Sequence, residues 1–413
     1  MGAKADLHSC VQQGPLDGTK RSSATPVRIA AFSVQVPEGR AYAHGLDPQK
    51  VLLVLDGHPR LNRENVGLLC EWGNIDIDWP CPQAEPKDWN SERDKMSDPF
   101  FQPVSGFDLP RFAGIPTFMR LPHVPLGDAR LDEVQIGLIG VPWDSGTTNR
   151  PGPRHGPRQL RDLSTMIRAQ NGITGVRPFE VVNCADLGDV PPNPADIMDS
   201  MARITAFYRK VLAAGVLPLT AGGDHLSTLP ILRAIAEKAP VGMIHFDSHT
   251  DLFDGYFGGT KYTHGTPFRR AVEEELLDPK RVCMIGIRGT TYDNEDRDFA
   301  DNVGIRVIQI DEFHRRGVTD VMTEAREIAG DGDTYVSYDI DFVDPAFAPG
   351  TGTPEIGGPN SYQALEVVRH LSGVRIVGAD VVEVSPPFDS SGNTAFLGAS
   401  IMFELLCVIA PAL

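Results

Sequence analysis

The sequence predicts an α/β fold built on an eight-stranded parallel sheet in a three-layer αβα arrangement, and three observations carry that prediction. Apolar, β-branched runs recur at residues 134–141, 179–184, 216–220, 241–246, 282–287, 305–310, 334–338 and 374–382. Segments of helical periodicity separate them, at 202–214, 227–238, 268–277, 318–328 and 361–371. Strands alternating with amphipathic helices imply a parallel sheet covered on both faces. The spacing between strands varies and no repeat is visible, which favours an open sheet over a (β/α)8 barrel. Thirdly, polar residues gather just beyond four of the runs, where open α/β sheets place their sites.

Composition sets the outer bounds. The chain has 413 residues, 41% hydrophobic and 23% charged, as in ordinary globular proteins. A net charge of −17 and a pI near 5.0 argue against a nucleic-acid or anionic-membrane partner and suit a cationic substrate. None of the six cysteines forms a CxxC pair, so they read as reduced thiols of a cytosolic protein. No run is expected to reach the length of a membrane span, and Met1–Asp6 lacks the apolar core of a signal peptide. The cytoplasm is the expected compartment.

Three regions follow in order. Residues 1–25 are polar and aperiodic, and are expected to be disordered. Residues 26–125 form an N-terminal extension wrapping the core, with a strand near 29–36, a short helix starting in 48–55 and an irregular stretch at 79–105. His44, His58 and His123 are isolated there and read as structural. Residues 126–413 hold the sheet, closed by a helix over 395–409.

The polar groups after the strand ends carry the chemistry. Ala221-Gly222-Gly223-Asp224-His225 follows the run at 216–220; its paired glycines permit a tight turn and close approach, and His225 begins a helix. His245-Phe246-Asp247-Ser248-His249-Thr250-Asp251 spans the end of 241–246. Asp339 and Asp341 follow 334–338, and Glu383 follows 374–382. If the backbone stays extended, residues two apart project from one face, and each group converges on one side. His225, Asp247, His249, Asp251, Asp339 and Asp341 together offer four carboxylates and two imidazoles. Clustered carboxylates without cations repel and raise one another's pKa values. One divalent ion leaves such a cluster over-negative, whereas two balance it. Oxygen and imidazole donors without thiolate fit Mn²⁺, Ni²⁺, Fe²⁺ or Zn²⁺ rather than Ca²⁺. Two such ions about 3.5–4 Å apart make hydroxide available near neutral pH, so the residues predict metal-assisted hydrolysis.

From about Phe112 to the C-terminus the chain resembles the ureohydrolases (arginases, agmatinases and their relatives). The resemblance is carried by Gly140-Val141-Pro142-Trp143-Asp144-Ser145-Gly146, Arg150-Pro151-Gly152-Pro153-Arg154, Gly222-Gly223-Asp224-His225, Asp247-Ser248-His249-Thr250-Asp251 and Ser337-Tyr338-Asp339-Ile340-Asp341. Residues 113–122 and 345–355 look like the agmatinase branch. The resemblance implies an arginase-like fold holding two divalent ions, Mn²⁺ or Ni²⁺. His225 and Asp251 would hold one ion and His249 and Asp341 the other, with Asp247 and Asp339 bridging. It implies catalytic roles for His264, Glu383 and Asp251, with Glu383 binding a guanidinium group and His264 protonating the leaving amine. The implied partner is a small cationic guanidino substrate, cleaved to urea and ammonia or an amine. A homo-oligomer, trimer or hexamer, is implied as well.

Other residues have lesser expectations. His245 lies one pleat deeper than Asp247 and reads as support or core. Asp224 is expected to orient a ligand or cap a helix. Arg154, His155 and Arg288 are mouth candidates, and Trp143 and Tyr292 core or rim. The residues ahead of Phe112 exceed the agmatinase pattern, and guanidine-hydrolysing relatives, often described as nickel enzymes, look similar in carrying such an extension. The extension is therefore expected to cover the mouth or a subunit contact and to favour free guanidine. Agmatine, 4-guanidinobutanoate and 3-guanidinopropanoate follow as substrates. The reading from another class is an inactive subunit that stabilises a partner.

Overall fold

The computed structural model describes residues 98–413 and the backbone of three strands nearer the N-terminus. The chain divides into two compact units, Met1–Lys87 and Asp88–Leu413. In the first, β1 (Phe32–Val36), β2 (Gly39–Asp47) and β3 (Lys50–Leu55) form an antiparallel sheet in the order β1-β2-β3. β1 falls within the strand expected at 29–36. The helix expected from 48–55 is replaced by β3, because Val51–Leu55 is an unbroken apolar run that pairs with β2, Asp47 facing Lys50. Expectations for residues 1–25, for His58 and the side chain of His44, and for the stretch 79–97 fall outside the described residues.

The second unit contains the predicted sheet. Its strands are β4 (Ile136–Gly140), β5 (Cys184–Asp189), β6 (Leu217–Ala221), β7 (Val241–Phe246), β8 (Leu277–Ile287), β9 (Arg306–Gln309), β10 (Thr334–Asp339) and β11 (Ile376–Val382). They pair in the order β5-β4-β6-β11-β10-β7-β8-β9, every pair parallel. Alternate side chains enter separate cores on the two faces. Leu138, Ile244 and Ile285 pack in one, while Ile139, Met243 and Met284 pack in the other. That double burial is why the strands read as continuous apolar runs.

One strand is shifted from expectation. Residues Pro178–Val181 form a short helix, and β5 begins only at Cys184. Pro178 supplies a pre-set first helical position, while Phe179 and Val182 are buried in the core from that turn. Residues 98–125 belong to the same compact unit: Val124 donates to Asp186 O at 2.9 Å and Asp186 N donates to Pro122 O at 2.9 Å, alongside β5.

The closing helix, Asn393–Ile409, also departs from expectation. With the turn that follows, it is long and apolar enough to cross a membrane, although no such run was expected. Its apolar surface is instead mostly buried against the sheet and the helices Gly156–Ser164 and Ser361–Arg369. Its one acidic residue, Glu404, pairs with Arg369 and accepts from Asn171 at 2.9 Å.

Four neighbouring strands, β6, β11, β10 and β7, end side by side. Ala221 pairs with Val381, Val382 with Asp339, and Phe246 with Tyr338. Whatever follows these four ends shares one edge of the sheet.

Candidate metal centre and active-site cavity

The loop after β6 is shaped by close backbone approach. A Cβ on Gly223 would lie 1.6 Å from the Trp143 carbonyl oxygen, and one on Gly222 would lie 2.5 Å from the Val382 side chain. Only glycine fits at Gly223 without moving backbone. Asp224 N then donates to Trp143 O at 2.9 Å, and His225 opens the 3-10 turn His225–Ser227.

Beyond β7 and β10 the chain does not stay extended, which corrects the geometry expected for these ligands. β7 stops at Phe246, and Asp251 has φ +54°; Asp341 lies in the 3-10 turn Ile340–Phe342. Turns, not a strand face, bring the residues together. Glu383, after β11, has φ +62°. Left-handed backbone at a non-glycine residue costs on the order of 1–3 kcal/mol and persists where the surroundings hold it, commonly at functional sites.

The six expected ligand residues converge. His225 Nδ1 lies 3.0 Å from Asp251 Oδ2, 3.1 Å from Asp247 Oδ2 and 3.2 Å from Asp339 Oδ2. His249 Nδ1 lies 3.2 Å from Asp341 Oδ2 and 3.5 Å from Asp247 Oδ1. Asp247 thus turns one oxygen toward each histidine.

His225 also has a defined tautomer. Its Nε2 lies 2.9 Å from Ser337 Oγ, whose hydroxyl donates to Asp380 Oδ1 at 2.8 Å. Asp380, fully buried, also accepts from Tyr335 OH at 2.8 Å and Thr228 Oγ1 at 2.7 Å. Nε2 is therefore protonated, and Nδ1 is the nitrogen able to present a lone pair to a metal ion. Nδ1 is buried and makes no hydrogen bond, although three carboxylates surround it. A lone pair there facing carboxylate oxygens is repulsive unless a proton or a metal ion sits between them. Donor separations of this size are also what bonds of about 2.0–2.2 Å at roughly right angles produce. The donor set fits a pair of divalent ions.

The same crowding perturbs the ionisation of these groups. Burial, then the neighbouring Asp341 and Asp247, holds Asp339 well above the usual carboxylate range. Burial works against a charge on His225, yet the Asp247, Asp251 and Asp339 carboxylates around its Nδ1 outweigh it and raise its pKa strongly. Protons thus hold the cluster together where cations are lacking, and metal binding must displace them.

His245 stands beneath Asp247, its Nε2 2.8 Å from Asp247 Oδ2, with its ring against Phe268. Asp224 does not reach the cluster. Its Oδ2 accepts from Gly146 N at 2.6 Å, and burial followed by the charge of Glu383 pushes its pKa up to about 8.

Next to the cluster opens a cavity of about 570 Å³, whose lining includes Asp251, Asp339, His249, His264 and Glu383. Glu383 Oε1 accepts from His225 N and lies 2.9 Å from His264 Nδ1. Its Oε2 is buried and has no hydrogen-bond partner. His264 Nε2 lies 3.1 Å from Thr148 N and 2.8 Å from Thr148 Oγ1, a hydroxyl that accepts from the charged ring. Burial disfavours charge on His264, but the Glu383 carboxylate outweighs it and raises the pKa to about 9.

Two of the expected mouth cations are otherwise engaged. Arg154 pairs with buried Asp144 and is absent from the cavity lining, as is His155. Arg288 lines the wall but donates to the carbonyls of Asp341, Phe342, Glu355 and Gly286. Trp143 is core, while Tyr292 is exposed at the rim. Sequence reasoning passed over Ser337, Asp380 and Thr148. A serine and an aspartate inside apolar strands were the available signal for the first two; Thr148 carried none.

A sequence model described as the arginase family matches residues 134–407. Guanidinopropionase of Pseudomonas aeruginosa is 58% identical over 317 residues, covering 77% of this chain and 98% of that protein. Guanidinobutyrase of the same organism is 50% identical, covering 75% and 96%. The solved structure of proclavaminate amidino hydrolase from Streptomyces clavuligerus superimposes with a TM-score of 0.70 at 41% identity, covering 74% of this chain and all of that one.

Proposed function

This chain belongs to the arginase family and is a hydrolase acting on guanidino C–N bonds; from that premise we propose that its substrate is a short guanidino acid, 3-guanidinopropanoate before 4-guanidinobutanoate. The relatives named for such acids support this choice over free guanidine and over agmatine. The carrying observation is Glu383 Oε2, a buried carboxylate oxygen without a partner in the cavity beside the ligand cluster. A planar cation is the natural occupant of such an acceptor.

His225, Asp247, His249, Asp251, Asp339 and Asp341 would hold two divalent ions, Mn²⁺ or Ni²⁺. When bound, these supply a nucleophile from water near neutral pH and offset the carboxylate charge. The chain's own residues do the rest. Glu383 anchors the guanidinium and fixes its carbon over the ligand cluster. Addition of the nucleophile there and rupture of one C–N bond yield urea and the amine. His264, kept charged by Glu383 and steadied by Thr148, delivers the proton the leaving amine needs. Asp251, at the cluster's cavity side, accepts the proton released by water.

The chain would act in the cytoplasm as a homo-oligomer, trimer or hexamer. Exposed Phe112 and Ile115, which line one surface pocket, support such an assembly, since exposed apolar patches commonly mark contacts. The test is urea release from guanidine, agmatine, 3-guanidinopropanoate and 4-guanidinobutanoate, with Mn²⁺ or Ni²⁺ supplied to apo protein. The highest kcat/KM is expected for 3-guanidinopropanoate. A higher value for guanidine or agmatine overturns the substrate choice.

A further inference from the structure

Three arginines line the cavity: Arg150, Arg288 and Arg297. Arg150 donates to the carbonyls of Gly352 and Thr351, each at 2.9 Å, and lies over the Phe388 ring. Arg288 spends all three guanidinium nitrogens on main-chain carbonyls. These two brace the walls and have little left for a ligand.

Arg297 differs. It sits in the first turn of the helix Glu295–Val303, and among the described residues it donates no hydrogen bond. Its Nε is buried without a partner, 3.5 Å from Asp296 Oδ2. That oxygen already accepts from Thr250 Oγ1 at 2.6 Å. Asp296 therefore offsets the charge without occupying the donors. The lining also carries Glu355 and, among the ligand cluster and beside it, Asp251, Asp339 and Glu383. An under-used guanidinium fork on the wall of a cavity where Glu383 Oε2 has no partner suits a molecule that is cationic at one end and anionic at the other.

We propose that Arg297 binds the carboxylate of the substrate and so selects guanidino acids over other guanidino compounds. The inference rests on the guanidino-acid reading above. Arg297 makes its contact equally in the bound and reacting states, because the carboxylate takes no part in the chemistry. Its loss therefore raises KM and leaves kcat near its starting value.

The test compares 3-guanidinopropanoate with 1-propylguanidine, which has the same length and no carboxylate, in Mn²⁺-loaded full-length protein. Arg297→Gln is expected to lower the acid-to-alkylguanidine ratio of kcat/KM about 10–100-fold, through KM. Arg297→Lys, keeping charge but losing the fork, is expected to fall between. Arg297→Glu should move preference toward agmatine, whose tail is an amine. Metal content and Tm of each variant separate binding from misfolding. An unchanged ratio in folded Arg297→Gln, or equal losses on both substrates, overturns the assignment while leaving the guanidino-acid reading intact. Failure of the parent protein to cleave any guanidino acid overturns both.

Discussion

Replacing Ser337 with alanine probes the buried hydrogen bonds that support the proposed metal ligand His225. Its hydroxyl lies between His225 Nε2 at 2.9 Å and Asp380 Oδ1 at 2.8 Å, and all three side chains are buried. Without it, Asp380 keeps the Tyr335 and Thr228 hydroxyls, but the His225 N–H has no acceptor. A buried unsatisfied donor costs about 1–3 kcal/mol. Removing an outer partner of a metal ligand lowers metal affinity about 10–100-fold. His249 does not depend on this hydroxyl, since Ser248 and Asp341 surround its Nδ1. The loss should therefore fall on one ion of the two. Calorimetric titration of apo protein with Mn²⁺ is expected to show one binding class weakened by that factor and the other unmoved. Equal weakening of both classes refutes the reasoning, and so does a fall in Tm with both affinities intact.

Other perturbations have outcomes as definite. Glu383→Gln removes the charge that raises His264 against its burial, so the His264 pKa should fall from about 9 toward or below 6.5. The high-pH limb of the kcat profile, where His264 loses its proton, should shift to lower pH, and kcat/KM should drop about 10–100-fold. Arg161→Met strips buried Asp186 of its bidentate partner, with bonds of 2.7 and 3.0 Å. Urea denaturation should show a loss of about 3–5 kcal/mol. Paired Phe112→Ser and Ile115→Ser changes should reduce the mass measured by sedimentation, if those exposed side chains form the subunit contact.

Much of the sheet is legible in the sequence because its strands are buried twice over. Leu138 and Ile139, or Met243 and Ile244, are adjacent apolar residues that face different cores, and only a covered sheet asks for that. The six proposed ligand residues drew notice for a related reason: a polar cluster directly after an apolar strand stands out. How they converge is not. Spacing of two suggested an extended backbone, whereas Asp251 arrives through a left-handed turn and Asp341 through a 3-10 turn. Those conformations depend on contacts such as Asp341 N to Asp339 Oδ1 and Ser248 Oγ to Asp341 Oδ1, at 2.7 Å each, which no local pattern encodes. Pro178 explains the misplaced strand start, since apolar character alone does not separate a buried helical turn from a strand. Arg154 and Arg288 show the same limit for charge. Their partners, Asp144 for the one and mostly carbonyls after β10 for the other, are set by tertiary folding, so sequence could nominate cations but not say which one is uncommitted.

The most direct test is to measure urea released by the Mn²⁺- or Ni²⁺-reconstituted chain from 3-guanidinopropanoate. The structure and chemistry predict urea and 3-aminopropanoate in equal amounts, abolished by chelation and restored by metal. No urea from either metal-loaded form would contradict the account at its centre.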